Sequence, residues 1–518
     1  MTDGRRVARE AATYKAALHN WTVRTVSRMV SESERGRIAD RVRDRYANSP
    51  FGKGFIDNEV TNVVGTGITP IVSPNYELLG YNSTWSSTYQ KTVTNHFENY
   101  TKDPHCFFDV QRRQNFIPMQ QFAFLSYLLD GAAFFVRVTR EEKYKPYMTE
   151  WLPIDPYRVA TPTDKQKENV FEGVRTDDYG APISIFVGKT QKYGMSNAWR
   201  SSEMQEIPVI DVNTGLLNVL ILTNVDNLCE YRKDSILTPL IASLRNVDDI
   251  ITAVMLSYLA KVSMIFRFHN DQGQPPNPNG DINERTTQSP IGTFINTYGS
   301  ETIQEIPTPK EPSAAFEAIM KNLSSQIGIV SGKGGSLFEV SYNNNFSSAK
   351  AELGVAAMRK AMQEAMIVEK FCAPIMMAFQ YELALEGITD VKSIDHFLQN
   401  AYMYTRCDWL PQPEHVIDEN KKVNANKTAL DSGQIGYGRL YAKQNLNAYE
   451  EFERIAKEKA YIQELEEKYD VKLPFYSESK TNVKTETKEE REQQEGNRVL
   501  GDEQDETEKQ EEREEAEE

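Results

Sequence analysis

The feature that most constrains the fold is a loop of small polar residues that leads directly into one long helical pattern, residues 330–387. Its glycines and asparagines adopt positive φ at little cost. Ser347 or Ser348 is placed to cap the helix, and Gly387 is placed just past its end. Pro374 removes one backbone donor and is expected to kink the helix. Apolar side chains recur at close to the 3.6-residue period of a helix packed against a core, at Met358, Met362, Ala365, Cys372, Met376, Phe379 and Leu383.

A second helical pattern, residues 235–268, is apolar on more than one face between Ile250 and Ala260. Such a helix needs neighbours on every side. We expect some of these neighbours to be other copies of the chain, because a domain of modest size cannot surround the helix. The stretch of eleven residues is too short to span a bilayer, so no membrane contact is predicted. A third helix is predicted at residues 313–329, beyond a segment rich in proline and glycine.

Charge is spread unevenly along the 518 residues, whose net charge is −16. Residues 1–45 carry eleven basic and six acidic side chains, net +5, whereas residues 477–518 carry seven and seventeen, net −10. A protein that grips DNA through many phosphates is normally basic, so we expect any contact with nucleic acid to be loose or local. Residues 477–518 contain almost no large apolar side chains and are predicted to be a disordered acidic tail.

The sequence offers no pattern typical of catalysis or of a bound cofactor. The stretch Gly328–Gly334 differs from a P-loop, because three residues instead of four separate its first two glycines and glycine follows the lysine. The cysteines and histidines are scattered without ligand spacing, so we expect reduced thiols and no metal site. Asp248 and Asp249 are adjacent on a helix and point in different directions, which disfavours a two-metal site. We therefore predict no catalytic residue, no metal and no cofactor.

Residues 1–50 are predicted to be a basic helical arm. The spacing of Ser31 and Glu34 is that of a capping box, and Pro50 follows the end of the helix. We expect the arginines of this arm to face solvent or another subunit, with contact to nucleic acid as the alternative. They are Arg35, Arg37, Arg41, Arg43 and Arg45.

Residues 51–138 are predicted to be helices that give way to strands, and residues 139–230 predict an α/β or mostly-β domain. Helices are expected to give way to extended chain at Gly65–Gly67 and at Asp130-Gly131. Residues 388–476 are predicted to be mainly helical, with Trp409 as an apolar anchor. Strands are predicted at Ala132–Val138, Glu150–Ile154, Val170–Arg175, Ile183–Val187 and Leu216–Leu222, with shorter ones at Gly292–Thr297 and Thr302–Ile306.

Six motifs, taken in order, resemble those of the lambda-type portal proteins of tailed bacteriophages. Each is weak by itself, and the six in register over residues 30–470 are specific. The chain departs from the family in lacking a second tryptophan soon after Trp85 and in its reduced Tyr231–Asp234 segment. The motifs are Asn62–Ile68 (NVVGTGI), Asn115-Phe116 with Leu128–Gly131 (LLDG), Ile154–Pro156 (IDP), Glu172–Val174 (EGV) with Asp178–Pro182 (DYGAP), Pro239–Asp249, and Asn345–Lys350 (NFSSAK, where the family has NYSSAR).

The resemblance implies an α+β portal fold assembled as a ring, usually of twelve subunits. Its parts would fall along this chain as an N-terminal helical arm (1–50), a wing (51–234), a first stem helix (235–268), a clip (269–312), a second stem helix (313–329), a tunnel loop (330–346), a long kinked helix (347–387), a helical crown (388–476) and the acidic tail (477–518).

The resemblance also implies a function without catalysis. The ring would be made in the host cytoplasm and would occupy one capsid vertex of the virion, where double-stranded DNA is packaged by the terminase motor and later ejected. The implied partners are other copies of the chain, DNA, the terminase large subunit, the major capsid protein and the head–tail connector. The tunnel-loop residues expected to face DNA are Lys333, Ser336, Asn343, Asn344 and Asn345, and the clip residues expected to dock the terminase or connector are Asp271, Asn283, Glu284 and Arg285.

Two other functions stay open on the sequence. One is a structural ring or adaptor of the tail that does not carry DNA, which predicts a channel narrower than a duplex. The other is an enzyme acting on DNA, which predicts turnover that depends on ATP or a metal ion.

Overall fold

The computed structural model describes residues 32–165, 168–189, 200–225, 230–262, 266–270, 286–289, 292–295, 301–305, 313–332, 346–411, 419–442 and 446–469. The chain divides into two units, Met1–Asn447 and Ala448–Glu518. Helices and antiparallel sheets both build the first unit. The predicted α+β class is confirmed.

The first half of this unit packs helices against two sheets. Its helices are α1 (Glu32–Asn48), α2 (Pro50–Val63), α3 (Tyr76–Leu79), α4 (Ser83–Thr101) and α5 (Phe116–Asp130). Its strands are β1 (Thr69–Val72), β2 (Ala133–Thr139), β3 (Thr149–Ile154), β4 (Val170–Phe171), β5 (Val174–Thr176), β6 (Pro182–Gly188), β7 (Met204–Pro208) and β8 (Val219–Leu222), with 3-10 turns at Pro156–Arg158 and Ser201–Glu203.

The second half is mainly helical. After a 3-10 turn (Thr238–Leu240) come α6 (Ile241–Val262), β9 (Phe266–Asn270), β10 (Thr286–Ser289), β11 (Gly292–Ile295), β12 (Glu301–Glu305), α7 (Ser313–Ser331), α8 (Phe346–Ile367), a π-turn (Val368–Cys372), α9 (Ala373–Leu385), α10 (Ile394–Gln399), α11 (Ala401–Tyr404), β13 (Cys407–Leu410), α12 (Glu419–Asp431) and α13 (Tyr437–Ala442). In the second unit, α14 (Ala448–Tyr469) is a charged helix with i,i+4 ion pairs such as Glu453–Lys457.

Strand β2 is central, because it is buried on both faces. It lies in the middle of the three-stranded sheet β3-β2-β8, in which all pairs are antiparallel. Successive side chains of a strand point to opposite faces. Ala133 and Phe135 accordingly join the main core, whereas Phe134 and Val136 join a second core that includes Ile185 of the four-stranded sheet β4-β5-β6-β7.

The main core is built around the π-turn and α9. Phe371, Cys372, Ile375 and Phe379 are fully buried there. Phe379 stacks on Tyr100 of α4 at 4.7 Å between ring centroids, and Phe371 meets Phe135 of β2 edge to face at 4.9 Å. The aromatic contacts therefore join α4, the three-stranded sheet and α9 in one core.

The long helix has the predicted irregularity at Pro374, in the form of a π-turn. Pro374 lies in the first turn of α9, directly after that turn. Gly387 follows the end of α9 with φ of 69°, as its position predicts. The helix begins at Phe346, which corrects the expected cap at Ser347 or Ser348, since both serines lie inside its first turn.

Several predicted boundaries agree with the structure. Helix α2 gives way at Gly65 and Gly67, both with positive φ, to β1. Helix α5 ends at Gly131, also with positive φ, and β2 follows. The short strands predicted near residues 292–297 and 302–306 correspond to β11 and β12.

Three predictions were wrong, two of them because the pairing partner of a strand lies far away in sequence. Val170–Arg175 is two strands, β4 and β5, joined by Glu172 and Gly173 with positive φ. The predicted helix 235–268 begins at Ile241 and ends at Val262, and Phe266–Asn270 instead pairs with Glu301–Glu305. Trp409 lies in β13, which pairs with β1, so this part of the predicted helical crown is extended.

Two buried carboxylates hold β3 in place. Glu382 of α9 accepts hydrogen bonds from the backbone N–H groups of Met148 and Thr149, the latter at 2.9 Å. Glu150 is fully buried and forms ion pairs with Arg112, with Arg140 at 2.7 Å and with Lys145 at 3.0 Å. Burial raises the pKa of Glu150, but the hydrogen bonds from these cations outweigh burial and hold it below the ordinary value.

We expect Glu150→Gln to lower the free energy of unfolding at pH 7 by about 3 kcal/mol, because three cations then surround a neutral group. A lowered folded-state pKa gives stability that is present above the ordinary carboxyl pKa of about 4.3 and is lost as the pH falls through the folded value. The difference in melting temperature between wild type and variant should therefore shrink below pH 4.

The matched control is Glu142→Gln, because Glu142 pairs with the same two arginines but is exposed. Its effect should stay below about 1 kcal/mol. Equal melting temperatures for the two variants across this pH range would show that burial of Glu150 contributes nothing.

Candidate functional site

The two predicted stem helices lie side by side. Ser243 of α6 donates a hydrogen bond to Gln326 of α7 at 2.8 Å between oxygen atoms. The first half of α6 buries Leu244 and Val247 in the main core, and α7 buries Leu323 there. One end of the helical pair is therefore fixed in the core.

Further along, the pair exposes apolar side chains. Met255 and Leu256 of α6 are exposed, as is Ile319 of α7. The described part of a single chain thus leaves the apolar middle of α6 incompletely covered, as the all-round apolar pattern predicted. Beyond α6 and α7 the chain forms the antiparallel pair β9 and β12.

Helix α8 exposes a larger apolar stripe. Met358 and Met362 have 74% and 73% of their surface exposed, and Val355 lies on the same face one turn earlier. This corrects the expectation that the whole helix packs against a core. From Met366 onward most apolar side chains are buried, whereas Glu369, Lys370 and Leu385 are exposed. The described side chains of the long helix are therefore mostly exposed from Gly354 to Ala365 and mostly buried from Met366 to Ala384.

Gly332, at the start of the predicted tunnel loop, lies against this same helix. Gly332 has φ of 67°, and a Cβ there would lie 2.7 Å from Cδ of Arg359. The proposed DNA-facing residues Lys333, Ser336, Asn343, Asn344 and Asn345 lie outside the described residues. The same holds for the proposed clip residues Asp271, Asn283, Glu284 and Arg285.

Three arginines of α1 bind carboxylates of the first unit, which corrects the expectation that they face solvent, another subunit or nucleic acid. Arg35 is buried against Glu172 and Asp234, Arg43 makes two bonds of 3.1 Å to Asp130, and Arg45 lies 2.7 Å from Asp248. Burial raises the pKa of Asp130 against the opposing effect of Arg43. Arg37 and Arg41 are exposed. Sequence reasoning missed these pairs because their members lie 87 to 203 residues apart.

The connection into α6 passes very close to Gly131. Ser235 donates a hydrogen bond to the Leu128 carbonyl at 2.8 Å, and the Lys233 N–H donates to the Gly131 carbonyl at 3.3 Å. Gly131 has φ of 76°, and a Cβ there would lie 1.5 Å from the Lys233 carbonyl oxygen. Only glycine fits this junction of α5, β2 and the segment that leads to α6.

Other kinds of site receive no support from the described residues. Among them, no group of three histidine, cysteine or carboxylate side chains is placed to hold a metal ion. Gly328 lies within α7, whereas a P-loop glycine precedes its helix. Within the same residues, no helix is both long and apolar enough to cross a membrane.

Comparison with known families decides the assignment. The model of the family described as "Phage portal protein, lambda family" matches residues 15–363. The chain belongs to the lambda family of phage portal proteins. Members of this family are structural components of the virion at the capsid vertex.

Individual portal relatives are distant. A portal protein of Escherichia phage N15 is 21% identical over 148 residues, which are 28% of this chain and 28% of that protein. A chain from the neck of a native gene transfer agent particle is 12% identical, with 77% of this chain and 90% of that chain covered and a TM-score of 0.41. An HK97-family phage portal protein from Corynebacterium diphtheriae is 10% identical, with 68% and 88% covered and a TM-score of 0.28. Both TM-scores lie below 0.5, so membership rests on the family match.

We expect Gly131→Ala to lose at least about 4 kcal/mol of unfolding free energy, because the added methyl group collides with backbone. Gly215→Ala is the matched control, since Gly215 has a similar φ of 70° but no atom near the position of a Cβ. The control should lose only the left-handed backbone term, about 1–2 kcal/mol. Soluble yield and melting temperature measure both, and similar losses in the two variants would contradict the close contact at Gly131.

Proposed function

We propose that twelve copies of this portal protein form a closed ring at one capsid vertex and that double-stranded DNA passes through its central channel during packaging and ejection. The observation that carries this proposal is the exposed apolar surface of the helices, Met255 and Leu256 on α6 and Met358 and Met362 on α8, in a member of the portal family. Each such side chain contributes about 1.5–3 kcal/mol when it is buried. A closed ring buries the same surface on every copy.

Charge supports a channel in which DNA moves. Strong contacts with phosphates would slow the movement of DNA through the channel, since each neutralised phosphate adds to affinity. The net charge of −16 disfavours such contacts, and three of the arginines near the N-terminus are bound to carboxylates of their own chain. Lys333 is the single cation of the tunnel loop and our proposed DNA contact, together with Ser336, Asn343, Asn344 and Asn345.

The remaining partners follow from the resemblance to portal proteins. We propose that the clip, with Asp271, Asn283, Glu284 and Arg285, docks the terminase large subunit and later the head–tail connector. Residues 51–234 would form most of the wing, next to the major capsid protein. Because the sequence of Gly328–Gly334 lacks P-loop spacing, we propose that the work of packaging comes from the terminase motor and that this chain is not an enzyme.

Ring formation is tested by solution mass and electron microscopy of the purified chain. Twelve copies of the 59.1 kDa chain amount to about 709 kDa. The double variant Met358→Asp/Met362→Asp should shift this mass towards monomer, because charges replace the exposed apolar stripe. Met358→Leu/Met362→Leu keeps the stripe apolar and should keep the ring. If the Met358→Asp/Met362→Asp protein still forms the ring that the wild type forms, this stripe does not lie in the subunit interface.

The tunnel loop is tested by shortening Gly332–Gly335. Rings should form as in the wild type, while the amount of DNA packaged with the terminase motor should fall. The fall is expected because a loop with fewer glycines cannot adjust as the duplex moves past. If rings with the shortened loop package as much DNA as the wild type, the loop does not have the proposed role. A ring that is closed or too narrow for a duplex, and that does not transport DNA, would favour the tail adaptor.

A further inference from the structure

Helix α1 contacts four separate parts of the first unit through its arginines. Arg35 reaches the turn between β4 and β5 at Glu172 and the segment before α6 at Asp234. Arg43 reaches the end of α5 at Asp130. Arg45 reaches α6 itself at Asp248. A single helix thus connects the sheets, the junction and the first stem helix.

The two ends of this connection differ in burial. The side chains of Arg35 and Glu172 are only 9% and 4% exposed, and Glu172 also accepts a hydrogen bond from the Tyr231 N–H at 3.1 Å. Breaking such a buried pair leaves an uncompensated charge. The side chains of Arg45 and Asp248 are 20% and 28% exposed, so water and salt reach this pair and weaken it. The connection is therefore permanent at Arg35 and can open at Arg45.

Asp248 occupies a special position on α6. Leu244 and Val247, just before it, are buried in the main core, whereas Met255 and Leu256, two turns later, are exposed. Asp248 accepts a hydrogen bond from Ser49 as well, at 3.3 Å. Asp249 is exposed and pairs only weakly with Arg245 of its own helix, at 3.8 Å between nitrogen and oxygen. The ionic contact from α1 therefore meets α6 where that helix leaves the core.

We propose that α1 is an ionic strap, closed by the Arg45–Asp248 pair, that sets the position of the exposed half of α6, and that opening of this pair lets that half move. This role deepens the proposed portal function, on which it rests, because the exposed half of α6 is the surface assigned to the neighbouring subunit. The strap would let the stem adjust while the buried Arg35 contacts keep the sheets and the junction fixed.

Hydrogen exchange of the full chain, measured by mass spectrometry at low and high salt, tests the strap. In the wild type, exchange of the α6 amides 250–262 and of α1 amides 42–48 should rise with salt. Asp248→Asn should raise exchange in both segments roughly two- to fivefold at low salt and remove most of the salt dependence. Asp249→Asn is the matched control on the neighbouring residue and should leave both segments as in the wild type.

A second variant separates the pair from any local damage. Arg45→Gln should reproduce the effect of Asp248→Asn, and the double variant should add nothing further, because the two residues act through one contact. Arg41→Gln, an exposed arginine of the same helix, should have no effect. Equal exchange in the Asp248→Asn and Asp249→Asn proteins, or additive effects in the double variant, would overturn the strap.

The strap and the ring can fail separately in this experiment. Exchange is measured both on the unassembled chain and on the ring fraction, and the solution mass is recorded for each sample. If exchange in α1 and α6 depends on salt as predicted but the chain never forms rings, the strap is supported and the portal ring is rejected. If rings form but exchange in α6 changes neither with salt nor in the Asp248→Asn protein, the ring is supported and the strap is rejected.

Discussion

The aromatic core around the π-turn and α9 is the constraint on which the rest of the first unit depends. Phe371 and Phe379, eight residues apart, contact rings from β2 and from α4 and leave no exposed surface. Because protein interiors are close-packed, these contacts fix the C-terminal half of the long helix rigidly. The Glu382 hydrogen bonds then place the start of β3 against it, and the Glu150 ion pairs bind β3 to three cations outside the long helix. Helix α8, which carries the exposed stripe, therefore extends from a part of the chain that is fixed in the core.

This division explains how one chain can be both stable and incomplete. The described core is satisfied within a single copy, whereas Met255, Leu256, Met358 and Met362 are left on the surface of long helices. In the proposed ring, neighbouring copies would cover this exposed surface. Arg45, the cation of α1 that contacts α6, is engaged by the carboxylates of Asp44 and Asp248.

Local signals in the sequence predicted most helices and their ends. Asp130-Gly131, Gly65–Gly67 and Gly387 carry their conformation in residue type, because glycine adopts positive φ without strain. Strand pairing was harder to predict. Trp409 and Phe266–Phe268 satisfy helical periodicity as well as strand periodicity, and only their partners, β1 and β12, decide between them. The buried Arg35–Glu172 pair has no local signal at all, since it joins residues 137 apart.

The sequence by itself determined the α+β class, the family, the helix after the glycine-rich loop and the surplus of apolar surface on α6, because these depend on residue type, order and spacing. The tertiary structure decided which half of the long helix is buried, which arginines of α1 are bound to carboxylates and where α6 leaves the core. Those outcomes depend on contacts between residues far apart in the chain, such as Arg45 with Asp248 and Phe371 with Phe135. The periodicity of the sequence shows which face of a helix is apolar. Only the packing of the folded chain shows whether another part of the same chain covers that face.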